Sequence, residues 1–518
     1  MAPFLGLRGN KLQIAAILGV LMPGILSVGY NAALFGGMLT MTPFEDEFPQ
    51  IDIAHSRNPS KASTLQGVVV AVYTIGGFLG SLSCIWLGDK LGRRRTIMTG
   101  SLVQILASVL LASATTLVQL VVGRLFLGVG TGFLLATIPL WQSEISPANK
   151  RGAHVVTKGV FSGLGCAMSL FLDYGMSFVK GSVAWRLPSA LTILLSMTVF
   201  GFITLLPESP RWLIRKDRVA EARYILAALE DADTGDESIE KKINDVLNSL
   251  QMAGATSFKS FFSMGPQRTF HRAMLGIGAM AFLQACGVSV VTFYISEIFE
   301  EDLLLDQSTS LLLAGVFQLV GPIGGVVCVA SIESFGRRKL LLASTIGNAI
   351  CLALVASLGS QTNNTMAMHG AVVFIFLFHF SYIIGFGGIP YLYVSEVAPL
   401  HLRTIISSIS ISVSWALSIL VTSITPIALT YMHQGYFVIF AALNAVMVPL
   451  IYYLFPETSG RSLEEMDRIF ALSEGIFDVV KVAKRLPYGQ QVDGLPAEKE
   501  YDMDSKGPVV KSEEICSV

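Results

Sequence analysis

Twelve runs of about 20 mostly apolar residues, parted by short charged breaks, constrain this chain more than any other feature. They cover about 13–37, 65–87, 96–115, 118–141, 153–178, 186–206, 273–296, 309–331, 340–359, 369–394, 405–430 and 435–455. A run of that length spans the hydrocarbon of a bilayer as a helix. Within lipid only a helix or a closed barrel satisfies its own backbone. The composition agrees: 52% of residues are hydrophobic and 14% charged, against roughly a quarter charged in soluble domains. That excludes an ordinary soluble enzyme. Thirty-six basic residues against 37 acidic ones leave no excess to neutralise phosphates, so no nucleic-acid partner is expected. The first run is too long and too interrupted by glycine for a cleaved leader, and reads as a span. Cys84, Cys166, Cys286, Cys328 and Cys351 stand singly in apolar runs. They read as small buried hydrophobes, with no metal or cofactor site.

Orientation follows from the basic residues of the short loops. Lys90, Arg93, Arg94, Arg95, Lys150, Arg151, Arg337, Arg338, Lys339 and Arg403 all fall on one side. The opposite loop after the seventh span carries Glu300, Glu301, Asp302 and Asp306 and no basic residue. The basic side is therefore expected to be cytoplasmic, with both termini on it and the plasma membrane as the location. Asn363-Asn364-Thr365 is a glycosylation sequon on the other side. The chain divides into a first bundle at 1–206, a polar central loop at 207–272, a second bundle at 273–455 and a tail at 456–518. In the loop, Val219, Ala222, Leu226 and Leu229 recur at helical spacing and predict short amphipathic helices. The distal tail is polar enough to expect disorder.

The chain also repeats itself. Asp89-Lys-Leu-Gly-Arg93-Arg returns as Glu333-Ser-Phe-Gly-Arg337-Arg, an offset of 333 − 89, or 244. Glu144-Ile-Ser-Pro with Arg151 returns as Glu396-Val-Ala-Pro with Arg403, offset by 396 − 144, or 252. Pro207-Glu208-Ser returns as Pro456-Glu457-Thr, offset by 456 − 207, or 249. Three matches in one order make two six-helix halves, and parallel halves place a substrate site between them near the midplane. With Gly123-Arg124-Leu-Phe-Leu-Gly-Val-Gly130, Pro207-Glu-Ser-Pro-Arg-Trp212 and Pro456-Glu-Thr-Ser-Gly-Arg461, the sequence resembles the sugar porter family of the major facilitator superfamily, in its fungal branch. The resemblance covers about 25–470. It implies an all-α membrane protein of twelve transmembrane helices in two pseudo-symmetric bundles.

The duplicated charges predict two networks: Asp89, Arg93, Glu144, Arg151 and Glu208, and their copy Glu333, Arg337, Glu396, Arg403 and Glu457. In the resembled family such networks tie helix ends together on the inside and break when the inside opens. The alternative is a set of solvated charges that only sets topology. Ionisable residues inside a membrane are costly and usually functional. Arg124 lies early in the fourth span. In proton-coupled members a first-span Asp faces this Arg, and here that position is Asn31, which cannot titrate. Asp173 and Glu297 lie toward outer span ends, so downhill transport is favoured over coupling to protons. His379 in the tenth span could titrate or could be a neutral bundle residue. Lys158 could snorkel to the cytoplasm or face the cavity and suit an anion.

The family binds sugars through amides and an indole. Here the seventh-span pattern reads Leu283-Gln284-Ala-Cys-Gly287-Val-Ser289, so one of three amides survives. The fifth-span Gln is replaced by Gly159, the tenth-span Trp by Tyr391, and the eleventh-span Asn before Trp415 by Ser414. The candidate pocket is Asn31, Gln284, Ser289, Tyr294, Tyr391, Ser414 and Trp415, roomier and less polar than a hexose site. A small solute is the expected partner, a sugar or polyol first; the alternative is a proton-coupled transporter of a less polar metabolite or organic acid, with protons as a further partner. A transporter-like nutrient sensor is a different class, disfavoured by a short tail. An enzyme is disfavoured because no nucleophile–base pair, HExxH or phosphate loop stands out.

Overall fold

A computed structural model describes residues 3–486 except 54–57, 147–150, 253–261, 263, 265–267, 304, 362–363, 400–401 and 462. No strand occurs among the described residues. Among the described residues, eleven helices are long and apolar enough to cross a membrane. We number them with the fifth, Arg151–Met176, which makes twelve: α1 Gly9–Met38, α2 Pro59–Leu91, α3 Arg93–Ala112, α4 Leu117–Ile145, α5 Arg151–Met176, α6 Val183–Leu205, α7 Thr269–Glu300, α8 Gln307–Phe335, α9 Arg337–Gly359, α10 Thr365–Val397, α11 Arg403–Met432 and α12 Gly435–Leu454.

Local chemistry sets where these helices begin and end. Asn58, Thr116, Asp306 and Asn364 each accept a hydrogen bond from a backbone N–H in the first turn of α2, α4, α8 and α10, satisfying donors the helix cannot. Gly92 and Gly336 stop α2 and α8 at φ +83°, a conformation that costs glycine nothing. α7 breaks at Cys286-Gly287, where Gly287 has φ +96°. α10 breaks at Gly387-Gly388.

The packing is the sequence repeat made physical. In the first half α1 packs on α5, α2 on α4, α3 on α4 and α3 on α6; in the second, α7 packs on α11, α8 on α10, α9 on α10 and α9 on α12. Each pair of the second half is a pair of the first with six added. The seams between the halves obey the same rule, α5 against α8 and α11 against α2. The result is two pseudo-symmetric six-helix bundles.

Pro210–Arg215, Val219–Glu230 and Glu237–Met252 form short helices in the central loop. Leu213, Ala222, Ile225, Ile239 and Ile243 join the core under the start of α1 and the ends of α4 and α6. The tail holds two further helices, Leu463–Leu472 and Val479–Arg485. Met466, Ile469, Phe470 and Val479 pack them beneath α7, α10 and α12. The tail beyond 486 and Asn363 lie outside the described residues.

Candidate functional site

The polar interior of the second half gathers at the break in α7. Gln284 Nε2 donates to Ser414 Oγ at 3.1 Å, Ser289 Oγ to Gln284 Oε1 at 2.6 Å, and Ser289 and Ser418 share a hydrogen bond of 3.4 Å. Three pocket residues read from the sequence thus meet in one cluster, joined by Ser418, which the sequence did not single out. Gly287 stands between the two segments of α7, and across this break Ser289 donates back to Gln284. The cluster joins α7 to α11. Gln284 stays half-buried while Ser289 and Ser414 are buried. Tyr391 and Trp415 are half-buried too. Trp415 fills a notch on α2, where a methyl placed on Gly77 would lie 2.9 Å from the indole. Tyr294 is fully buried, and its hydroxyl donates to the Thr422 carbonyl at 2.9 Å.

Arg124 is fully buried. Its Nε and Nη2 donate to the carbonyls of Val69 and Val70 at 3.4 and 3.3 Å. Its guanidinium lies 3.9 Å from the Phe35 ring centre and 4.9 Å from that of Tyr73, a cation–π cradle. Among the described residues it has no carboxylate partner, and Nη1 has no acceptor. Asn31 Oδ1 instead accepts from Thr192 Oγ1 at 2.6 Å, which joins α1 to α6. His379 is buried, 4.2 Å from Phe317 by ring centres, with no hydrogen-bond partner at either nitrogen among the described residues. A second buried group, unmarked in the sequence, centres on Gln104. It donates to Thr131 Oγ1 at 3.0 Å and accepts from Ser196 Oγ at 2.8 Å, linking α3, α4 and α6.

Of the two expected charge networks, Arg93, Glu144 and Glu208, and Glu333, Arg337, Glu396 and Glu457, are linked at helix ends. Arg93 Nε and Nη2 donate to Glu144 at 3.0 and 3.1 Å, the bidentate geometry of a strong pair. Glu208 accepts the backbone N–H groups of Arg93 and Arg94 at 3.0 and 3.2 Å, so it caps α3. Arg337 repeats this with Glu396 at 3.0 Å and Glu333 at 3.2 Å, and Glu457 caps α9 through the N–H groups of Arg337 and Arg338. Trp141 donates to the Pro207 carbonyl, and Tyr393, 252 residues on (393 − 141), donates to that of Pro456. Burial holds Glu208 above the ordinary carboxylate range, against the hydrogen bonds from the backbone N–H groups of Ser209, Arg94 and Arg93 and the Arg93 charge, which pull it down. With Arg94, Arg95, Trp212 and Arg218 it lines a cleft of about 730 Å³. Among the described residues each network stays within its own half. The side chains of Asp89, Arg151, Lys158 and Arg403 lie outside the described residues.

Among the described residues the halves come into close contact toward the face opposite the charge networks. A methyl on Gly67 would lie 2.6 Å from the Ser423 carbonyl, and one on Gly315 2.9 Å from Phe171. Gln66 donates to the buried Glu297 at 3.3 Å across the seam, and Gln307 donates to the Thr40 carbonyl.

A family model described as "Sugar (and other) transporter" matches residues 14–470. The chain belongs to this family. It is a multi-pass membrane transporter. Among its relatives, the sugar transporter STL1 of Saccharomyces cerevisiae is 32% identical over 93% of this chain and 85% of its own length. The MFS-type transporter oryC of Aspergillus oryzae is 30% identical over 90% and 87%. The quinate permease of Neurospora africana is 25% identical over 94% and 93%. Among solved structures, the inward-open xylose transporter XylE from E. coli superposes with a TM-score of 0.72 at 19% identity, over 89% of this chain and 99% of that one. This last likeness concerns the fold. For this transporter it agrees with the twelve-helix fold.

Proposed function

We propose that the chain carries a small polyhydroxylated solute, a sugar or a polyol, across the membrane by alternating access, without catalysing a reaction. The observation that carries this reading is the Gln284–Ser289–Ser414–Ser418 cluster. It is a set of paired donors and acceptors at a helix break, inside the second bundle. Buried hydroxyls bind only where each finds a partner, and an unmet one costs about 1–3 kcal/mol. Serine hydroxyls in place of amides leave more room and fewer donors, so a solute with few or flexible hydroxyls suits the site better than a hexose. The relatives named for sugars support the class.

The two charge networks are assigned to the gate at the face bearing the termini, which the basic loops make cytoplasmic, in the plasma membrane. Asn31 gives Arg124 no titrating partner, so transport runs downhill. A second reading, an organic anion, is favoured by the uncompensated Arg124 and by the quinate permease relative.

Counterflow into proteoliposomes tests both. Labelled glycerol, xylitol, glucose and quinate are offered to the purified protein. Polyol exchange that is saturable, and abolished by Gln284→Leu, is expected. Exchange of quinate alone would replace the first reading with the second, and no exchange of any solute would overturn both. Downhill transport further requires that an imposed pH gradient drive no accumulation above equilibrium.

A further inference from the structure

Asp173 is a buried acid for which the transport reading has no use. It lies one turn before the end of α5 and is fully buried, and neither carboxylate oxygen has a hydrogen-bond partner among the described residues. It presses on the backbone of α1, where a methyl on Gly37 would stand 2.5 Å from Oδ2. The seam between the halves runs on both sides of this contact. One residue earlier on α1, a methyl on Gly36 would lie 3.4 Å from the Phe293 carbonyl of α7. Two residues earlier on α5, Phe171 packs into Gly315 of α8.

The groups around Asp173 cannot neutralise it. From α1 it faces Tyr30, whose hydroxyl donates to the Pro188 carbonyl. From α6 and α8 no charged side chain among the described residues acts on it. Arg186 of α6, on the same face, pairs with Glu47 at 3.8 Å. An ionised carboxylate with no counter-charge and no donor is very costly to bury, and such a group takes up a proton instead. Opening this face must part α1 from α7 and α5 from α8, and so brings water to Asp173.

We propose that Asp173 is a proton site that couples closure of the face opposite the termini to protonation. The inference rests on the alternating-access reading. On closing, one proton from the medium bonds to a carboxylate oxygen; on opening, that bond breaks and the proton returns to the same medium. No net proton crosses, so the site regulates a downhill carrier and does not drive it.

The test is the distance between spin labels on Asp46→Cys and Gln361→Cys, exposed positions of the two halves on this face, with Cys84 and Cys516 replaced by Ser. The full chain in lipid nanodiscs is titrated from pH 8 to 5 without solute. The closed population should grow on acidification, by up to about tenfold in the open-to-closed ratio per pH unit where the single proton is taken up. Asp173→Asn, and Asp173→Ser as a second variant, should stay closed and flat with pH. A parent protein that does not respond to pH, or variants that follow the parent, would overturn the proposal. Because no solute is present, a pH response in a protein that moves no solute would sink the transport reading alone, and transport without a pH response would sink this one alone.

Discussion

At the scale of single residues, Asn31 and Arg124 illustrate what type and position can and cannot say. The absence of a carboxylate at position 31 is legible in the sequence. That its amide turns to Thr192, while Arg124 is clasped by Phe35 and Tyr73, is a result of packing. Removing the guanidinium empties that cradle and frees the Val69 and Val70 carbonyls. Arg124→Ala is therefore expected to lower uptake at least about tenfold; undiminished uptake would show that the charge is dispensable. Glu208 makes a prediction in pH. Its carboxyl is raised by burial, so the folded protein favours the protonated form more than the unfolded chain does. The wild type should then gain thermal stability relative to Glu208→Gln as pH falls through the raised value toward the ordinary 4.5. Melting curves of both proteins between pH 8 and 5 measure this, and a gap that moves the other way would contradict it.

At the scale of elements, hydrophobic run length located the spans because lipid enforces one length and one conformation on each. The small tail helices were harder to see. Met466, Ile469 and Phe470 have helical spacing, but three apolar residues in a polar stretch acquire meaning only when α7 and α12 supply a surface beneath them. The glycines of α2 and α4 divide in the same way. Their abundance is visible in the sequence, but which of them touch is not. A methyl on Gly76 would sit 2.2 Å from the Leu125 carbonyl and one on Gly128 2.1 Å from that of Tyr73, whereas Gly159 has open space around it. Gly76→Ala and Gly128→Ala should each lose about 1–3 kcal/mol by forcing the helices apart. Gly159→Ala should melt with the wild type. Equal melting of all three would show that the α2–α4 crossing is looser than described.

At the scale of the whole molecule, the duplicated motifs become a pseudo-twofold arrangement in which the main packed pairs, and the α5–α8 and α2–α11 seams, have counterparts. Alternating access needs those seams to open at one face while holding at the other. Gly67 of α2 meets the Ser423 carbonyl of α11 at the face opposite the termini. Gly67→Leu should wedge that face apart without disturbing either half. The expected result is at least tenfold slower exchange, with thermal stability within about 1 kcal/mol of the parent, since the strain falls on a seam and not in a core. Normal exchange by this variant would mean that the α2–α11 seam does not have to close.

Taken alone, the sequence determined the membrane class, the number of spans and the two-fold repeat. Those follow from local rules: lipid thickness, the cost of unpaired backbone, and motifs short enough to survive duplication intact. Only the tertiary structure decided that Gln284, Ser289 and Ser414 share one hydrogen-bonded cluster, that the described ion pairs remain within their halves, and that Asp173 is sealed away without a partner. Each of these depends on side chains brought together from distant parts of the chain, and the burial that gives them their energies exists only once the helices have packed.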